Sequence, residues 1–408
     1  MSERKLKLWL IIAFISFLFT AMLGGVLRYA FVVGLPDGIQ FRYLQHAHSH
    51  VGMMGWLYSA LYIFILILFD LKRKIYFHLF WITQIAVAGM LLSFPVQGYA
   101  AVSIFFTTLH LMASYIFIIQ VFRDLKKKYN RPSYTMLKTS LVLLFISTLG
   151  TWALGAIMNS PLKGSAWYYD AIQFFLHFQF NGWFIFGIIA LFLKYLENRG
   201  VAIEEKKFKL FYRSLLISCF LTFSLALTWS TPTWALFVLN SIGVVLQIFA
   251  LYYFFRILRE CHQQIKKFIK TPAYKLWKFT FYLLTLKIVM QSLVAIPKLA
   301  IVSYTIRNFV IGFIHLLMLG IVSLFLIGLV RQFRKDEGTL EKFGVSLFLI
   351  GFVSTEVALF TQGLLLWIGQ GFLQGYYEFI FIASLMFPVS ILIYLTDLVK
   401  TKANIFEL

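Results

Sequence analysis

Acidic side chains are scarce in this chain, with 16 Asp and Glu against 37 Lys and Arg in 408 residues, and there are only two cysteines and eight prolines. Cys219 sits in an apolar run and Cys261 in a basic loop, with no CxxC spacing, so neither a disulfide framework nor a thiolate metal centre is expected. Charged residues of both signs make up 13% of the chain, too few to coat a soluble domain of this size. The net charge of +21 would suit nucleic acid if it lay on one face. It lies instead in short clusters between apolar runs, the pattern of membrane topology signals, so no nucleic-acid partner is expected.

What is present is apolar: 61% hydrophobic residues, 19% aromatic, mean hydropathy +0.82. Runs long enough to cross a bilayer, about 20 residues each, fall near 8–30, 46–69, 76–94, 99–122, 138–158, 170–194, 212–230, 233–255, 279–302, 307–330, 343–367 and 375–398. These predict an all-α polytopic membrane protein of about 12 transmembrane helices, forming one bundle over residues 1–408. Gly24-Gly25 continues the first run without a small-x-small cleavage pattern, so that run reads as the first transmembrane helix and not as a signal peptide. With the N-terminus in the cytoplasm, 31 of the 37 Lys and Arg fall in cytoplasmic segments, and the opposite orientation inverts that bias. The expected location is the cell inner (cytoplasmic) membrane, with both termini cytoplasmic and the lipid bilayer as surrounding partner.

One polar knot stands in this apolar background: His46-Ala47-His48-Ser49-His50-Val51-Gly52-Met53-Met54-Gly55-Trp56. Its ending recurs. His50 is followed five and six residues later by Gly55 and Trp56, His177 by Gly182 and Trp183, and His315 by Gly320 and Ile321. The intervals of 127 and 138 residues match a repeated group of about four membrane helices. Three pseudo-repeats follow, near 1–130, 131–270 and 271–408.

The second, sixth and tenth spans all run from outside to inside. His50, His177 and His315 therefore sit at similar depth in the outer half of the bilayer, about four to eight residues from the outer ends at about 1.5 Å per residue. Imidazole inside a membrane is costly unless paired or ligated. His46 and His50 share a helix face, with His48 opposite and placed for an outer-surface hydrogen bond. Histidines facing one another from separate helices suit haem, copper or zinc, which makes His46, His50, His110, His177 and His315 candidates for holding a haem or a metal ion. The glycine beyond each histidine admits a flat macrocycle or a neighbouring backbone. The alternative is ordinary packing: each histidine bonded to a neighbouring helix, and each Gly-Trp pair a close contact with an interfacial aromatic.

Twelve helices in three groups of four, with histidines in the second, sixth and tenth, resemble the catalytic subunit I of the haem-copper oxidase superfamily. The string His48-Ser49-His50-Val51-Gly52-Met53-Met54-Gly55-Trp56 is similar to a histidine motif of its cytochrome-c-containing and nitric-oxide-reducing branches, where that motif belongs to the tenth helix. By this resemblance His50 and His315 match the two axial ligands of a low-spin haem b, and His177 matches a ligand of the copper centre. The seventh span has no histidine, and Phe313 stands where a proximal ligand of the high-spin haem is expected. The resemblance thus implies a divergent member that is not an oxygen reductase, keeping one bis-histidine haem or a small metal site, as in nitrosative-stress membrane proteins of the NnrS type. Electron transfer, nitric oxide handling or respiratory cofactor delivery, with respiratory-chain proteins as partners, is the implied role.

Haem propionates favour cationic partners, and Arg28 and Arg307 lie toward the outer face; Arg42 there suits lipid headgroups. Asp170, at the outer start of the sixth span, suits a helix N-terminus. Glu356 falls midway through the eleventh span, and Lys287 about two turns into the ninth from the cytoplasm. A proton path, a structural ion pair, or snorkelling of Lys287 are all open for these two. Gln97, Gln291 and Gln362 extend a polar track or glue helices together. Two further functions compete with the haem reading: a proton-coupled secondary transporter using Glu356 and Lys287, and a cofactor-free assembly protein.

Overall fold

The computed structural model describes residues 2–126, 131–335 and 338–401. Lys127, Lys128 and Lys402, three of the basic residues assigned to the cytoplasm, lie outside the described residues. Within a hydrocarbon layer the backbone must satisfy its own polar groups, and the apolar runs do so as helices.

Among the described residues fourteen helices result: α1 (Glu3–Tyr29), α2 (Phe41–Leu68), α3 (Lys74–Gln97), α4 (Ala101–Leu125), α5 (Pro132–Met158), α6 (Ala166–Asn198), α7 (Glu205–Leu227), α8 (Trp234–Glu260), a short α9 (His262–Phe268), α10 (Thr271–Leu293), α11 (Pro297–Thr305), α12 (Arg307–Phe333), α13 (Thr339–Trp367) and α14 (Tyr376–Lys400). Eleven of them are long and apolar enough to cross a membrane, or twelve spans if the bent pair α10–α11 counts as one. No strand occurs among the described residues. The protein is a polytopic helical membrane protein.

The ninth span departs from the sequence reading. Instead of running to residue 302, α10 ends at Leu293 and α11 leaves it at 116°. Pro297 opens α11 at its first turn, and Ile296 before it is extended (φ −83°, ψ 118°), the conformation a following proline imposes. The same span begins earlier than expected, at Thr271, so Lys287 stands 16 residues into its helix and not two turns from the cytoplasmic end.

The chain divides into two compact units, one of residues 1–121 and 329–408 and the other of residues 122–328, the divisions falling within α4 and α12. In the first unit α1 packs on α2 and α14, α2 on α3, and α13 along α14. In the second, α5 packs on α6, α7 along α8, and α10 on α8 and α12. The histidine-bearing helices are the most enclosed. Over their most apolar stretch α2 and α6 are 83% buried and α12 67%, while the other spans range from 33 to 50%.

Each of these three helices widens immediately after its repeated histidine. Residues Val51–Leu57, Phe178–Phe184 and Leu316–Ser323 are π-helical, with hydrogen bonds reaching five residues back instead of four. The repeated glycines lie inside these wide turns, and Gly55 and Gly182 serve helix contact. A Cβ at Gly55 would stand 2.8 Å from Ser16 Cβ and 2.9 Å from Val87, and one at Gly182 would stand 2.8 Å from Leu143 Cβ. Trp56 and Trp183 are fully buried and not interfacial. Trp56 stacks on Phe17 at 4.5 Å with the rings 2° from parallel.

A buried ionic cluster closes one end of the first unit. Arg331 Nε meets Glu341 Oε1 at 3.0 Å, Arg334 reaches Glu341 Oε2 at 3.1 Å, and its other terminal nitrogen reaches Asp397 Oδ2 at 2.8 Å. Glu341 is wholly buried, and Arg334 and Asp397 nearly so. This ties the end of α12 to the start of α13 and the last turns of α14. Removing one member of a buried pair leaves the other charge stranded, which costs about 3–5 kcal/mol. Glu341→Gln is therefore expected to lower the thermal unfolding midpoint in detergent by far more than Asp397→Asn, which leaves Arg334 paired to Glu341.

Candidate functional site

The histidine knot enters α2 at its first turns. His46 and His50 are four residues apart and share a face, as their spacing requires, and both rings pack on Tyr99. The His50 ring is buried and held at both nitrogens. Its Nδ1–H donates to the His46 carbonyl (2.9 Å), which leaves Nε2 to accept from the Tyr99 hydroxyl (2.8 Å). Phe94 covers its flat side at 4.5 Å between ring centres.

Tyr99 stands on the tight turn between α3 and α4. Gly98 beside it has φ +60°, and a Cβ there would come within 2.4 Å of the Tyr43 ring, so this turn requires glycine. Its partnership with His50 is invisible in the sequence, because the two residues lie 49 positions apart.

His48 points away, as the spacing requires. Its partner, however, is not at the outer surface: Nδ1 bonds the Thr20 carbonyl of α1 at 2.9 Å. Arg28, in the last turn of α1, lies within electrostatic reach of both His48 and Glu356. Glu356 on α13 is 9% exposed, and neither of its carboxylate oxygens has a hydrogen-bond partner. Arg307 opens α12 as an exposed residue, and Arg42 is exposed as well.

His110 on α4 is almost completely buried, with Ser114 Oγ 3.4 Å from its Nδ1 and the Tyr58 ring edge-on at 4.6 Å. The ring faces the carbonyl of Met54, inside the wide turn of α2, while its Nε2 has no hydrogen-bond partner. His46, His50 and His110 are neighbours in the first unit, yet among the described residues no three His, Cys, Asp or Glu side chains form a metal-ligand group.

In the second unit His177 Nε2–H donates to the Cys219 carbonyl of α7 at 2.7 Å, leaving Nδ1 as the nitrogen with a free lone pair. The wide turn after it packs against the wide turn after His315. Neighbouring side chains serve carbonyls at these turns. Ser140 Oγ donates to Trp183 O (2.8 Å), Ser323 Oγ to Met318 O (2.8 Å), and Trp277 Nε1 to Phe325 O just beyond the third turn (3.0 Å). Cys219 and Cys261 are both free and buried.

Lys287 does not snorkel. It is 2% exposed and lines a cavity of about 30 Å³ with Asn181, Cys219 and Gln247. Glu356, by contrast, belongs to the first unit. Of the glutamines, Gln362 clamps a loop, donating to Gly371 O and accepting from Leu373 N, both at 2.9 Å. Asp170 lies five residues into α6, past the helix start, and accepts from Ser230 Oγ at 3.3 Å. Asn181 and Gln247 were missed from the sequence. Asn181, four residues after His177 in an apolar run, is the one whose position signals a polar site.

Replacing Tyr99, itself 45% exposed, by Phe removes the donor to Nε2 of the buried His50. A part-buried hydrogen bond is worth about 0.5–1.5 kcal/mol net, so Tyr99→Phe should lower the unfolding midpoint in detergent modestly, and Tyr43→Phe, which keeps the Gly98 contact, should not. No protein-family model matches this chain, and a search of curated proteins finds none similar to it.

Proposed function

We propose that the protein is a haem-binding membrane protein, related to the haem-copper oxidase catalytic subunit, that does not reduce oxygen. Its orientation in the inner membrane, both termini cytoplasmic, follows from the distribution of Lys and Arg. The observation that carries the reading is the junction repeated three times, in which a histidine ends the α-helical segment and a wide turn follows at once. Wide turns of this kind concentrate at functional sites. They recur here at the positions that the sequence repeat picks out.

His50 fits an axial ligand in one respect that can be checked atom by atom. A metal-bound imidazole donates its second nitrogen to a carbonyl or carboxylate, which fixes the ring and the tautomer; His50 Nδ1 does this with His46 O. The nitrogen left for iron, Nε2, carries the Tyr99 hydroxyl, so ligation there exchanges that hydrogen bond for a coordinate bond. His315, the second axial candidate of the sequence reading, belongs to the second unit, and His50 to the first. Bound in this way, a b-type haem supplies reversible one-electron chemistry. The first unit contributes an aromatic enclosure from Phe94 and Tyr99, with Arg28 of the same unit as the candidate cation for the propionates, while Arg307 is the candidate on the helix of His315. Copper or zinc at His46, His110 or His177 is the smaller variant of the same reading. His177 enters it through Nδ1, because Nε2 is committed to Cys219 O. Respiratory-chain proteins are the expected partners, and electron transfer, nitric oxide response or cofactor handling the expected role.

The absorption spectrum of the purified protein, read beside iron, copper and zinc analysis, tests this. A Soret band with about one haem per chain is expected, lost in His50→Ala and in His315→Ala. A spectrum without that band, together with no stoichiometric metal, would overturn the proposal.

A further inference from the structure

The cavity beside Lys287 has a polar end and an apolar end. Cys219, Leu215 and Phe211 line it from successive turns of α7, so it extends about 12 Å along that helix at about 1.5 Å per residue. Asn181 and Ile189 on α6, and Gln247 and Phe254 on α8, bound the same length. Because α6 leads into the loop before α7, Ile189 and Phe211 share the end nearest that loop, and Asn181 and Cys219 share the far end. Phe211 and Phe254 stack there at 5.1 Å between ring centres, 22° from parallel, closing the loop side with two aromatic rings.

The far end holds groups that want water. Asn181 donates its amide nitrogen to His177 O (3.5 Å), which turns Oδ1 elsewhere, and that oxygen has no partner. Gln247, 5% exposed, likewise has an unpartnered Oε1. Lys287 brings an amine, and among the described residues no carboxylate pairs with it. The titratable groups around it are His177 and Cys219. A water molecule complements the set, accepting from Nζ and donating to the two amide oxygens. A volume of about 30 Å³ holds on the order of one or two waters. An anion would meet two acceptor oxygens and is disfavoured.

We propose that Lys287 is an internal proton-carrying station, hydrated at the closed end of this slot and shut off from the basic-loop side by the Phe211–Phe254 stack. The amine lone pair takes a proton from a hydronium arriving through the slot, giving ammonium and water, and returns it by the reverse step. Apolar constrictions of this kind gate by excluding water until they open. The inference does not rest on the haem reading, since it uses neither His50 nor His315 and asks nothing of His177 beyond its hydrogen bond to Cys219 O.

The test is proton flux into vesicles containing the full chain, driven by a potassium diffusion potential with valinomycin and read by an entrapped pH dye. Phe211→Ala is expected to raise the flux severalfold over the unsubstituted protein, and Lys287→Met in the same chain to abolish the rise. Phe254→Ala repeats the test from the opposite helix should the first variant not fold. A rise that survives Lys287→Met, or no rise in either phenylalanine variant, would overturn the proposal.

Discussion

A peptide group without a partner in a hydrocarbon layer costs several kcal/mol, and three helices of this chain interrupt the pattern that avoids that cost. Each π-helical segment shifts the backbone register, so carbonyls near it need another donor. At the second and third segments Ser140, Ser323 and Trp277 supply it, the first and last from neighbouring helices. The interruption is therefore tied to positions on adjacent helices, and these helices are also the most enclosed ones. Enclosure and irregular backbone go together because only protein neighbours can complete a widened turn.

The same constraint explains how the histidines are held. A buried neutral imidazole has one donor and one acceptor, and both must be used. His50 uses a carbonyl on its own helix and a tyrosine on a distant turn. His177 uses a carbonyl of α7, and His48 one of α1. The packing alternative raised by the sequence thus describes these three bonds correctly. It does not explain why the histidines recur at the entrance to a wide turn.

The helices were legible in the sequence because apolar length and basic loops follow from the bilayer itself. The starts and ends differ by a few residues, except where Pro297 breaks the ninth span, a local rule that a hydropathy window averages away. The repeat of histidine and glycine was legible too, and so was the shared face of His46 and His50. The wide turns were not, since nothing in Val51–Leu57 distinguishes a π from an α register. Tyr99, Asn181 and Gln247 were missed for a different reason: their roles depend on which helices become neighbours, and single polar residues in apolar runs occur throughout the chain. Arg331, Arg334, Glu341 and Asp397 belong to no sequence motif, and three of them expose less than a tenth of their surface.

That ionic cluster and Lys287 are two answers to one problem. Each buries cations in a low dielectric, where an unpaired charge is far more costly than in water. In the cluster two guanidiniums face two carboxylates at 2.8 to 3.1 Å, a bonded arrangement that leaves its members no freedom to change charge. Such a cluster can fix helix ends and do little else. Among the described residues no carboxylate pairs with Lys287, which shares its cavity with two unpartnered amide oxygens and room for water. A group so placed is not locked into one charge state by an ion pair. The arrangement that makes Lys287 a poor structural element is what suits it to carry a proton.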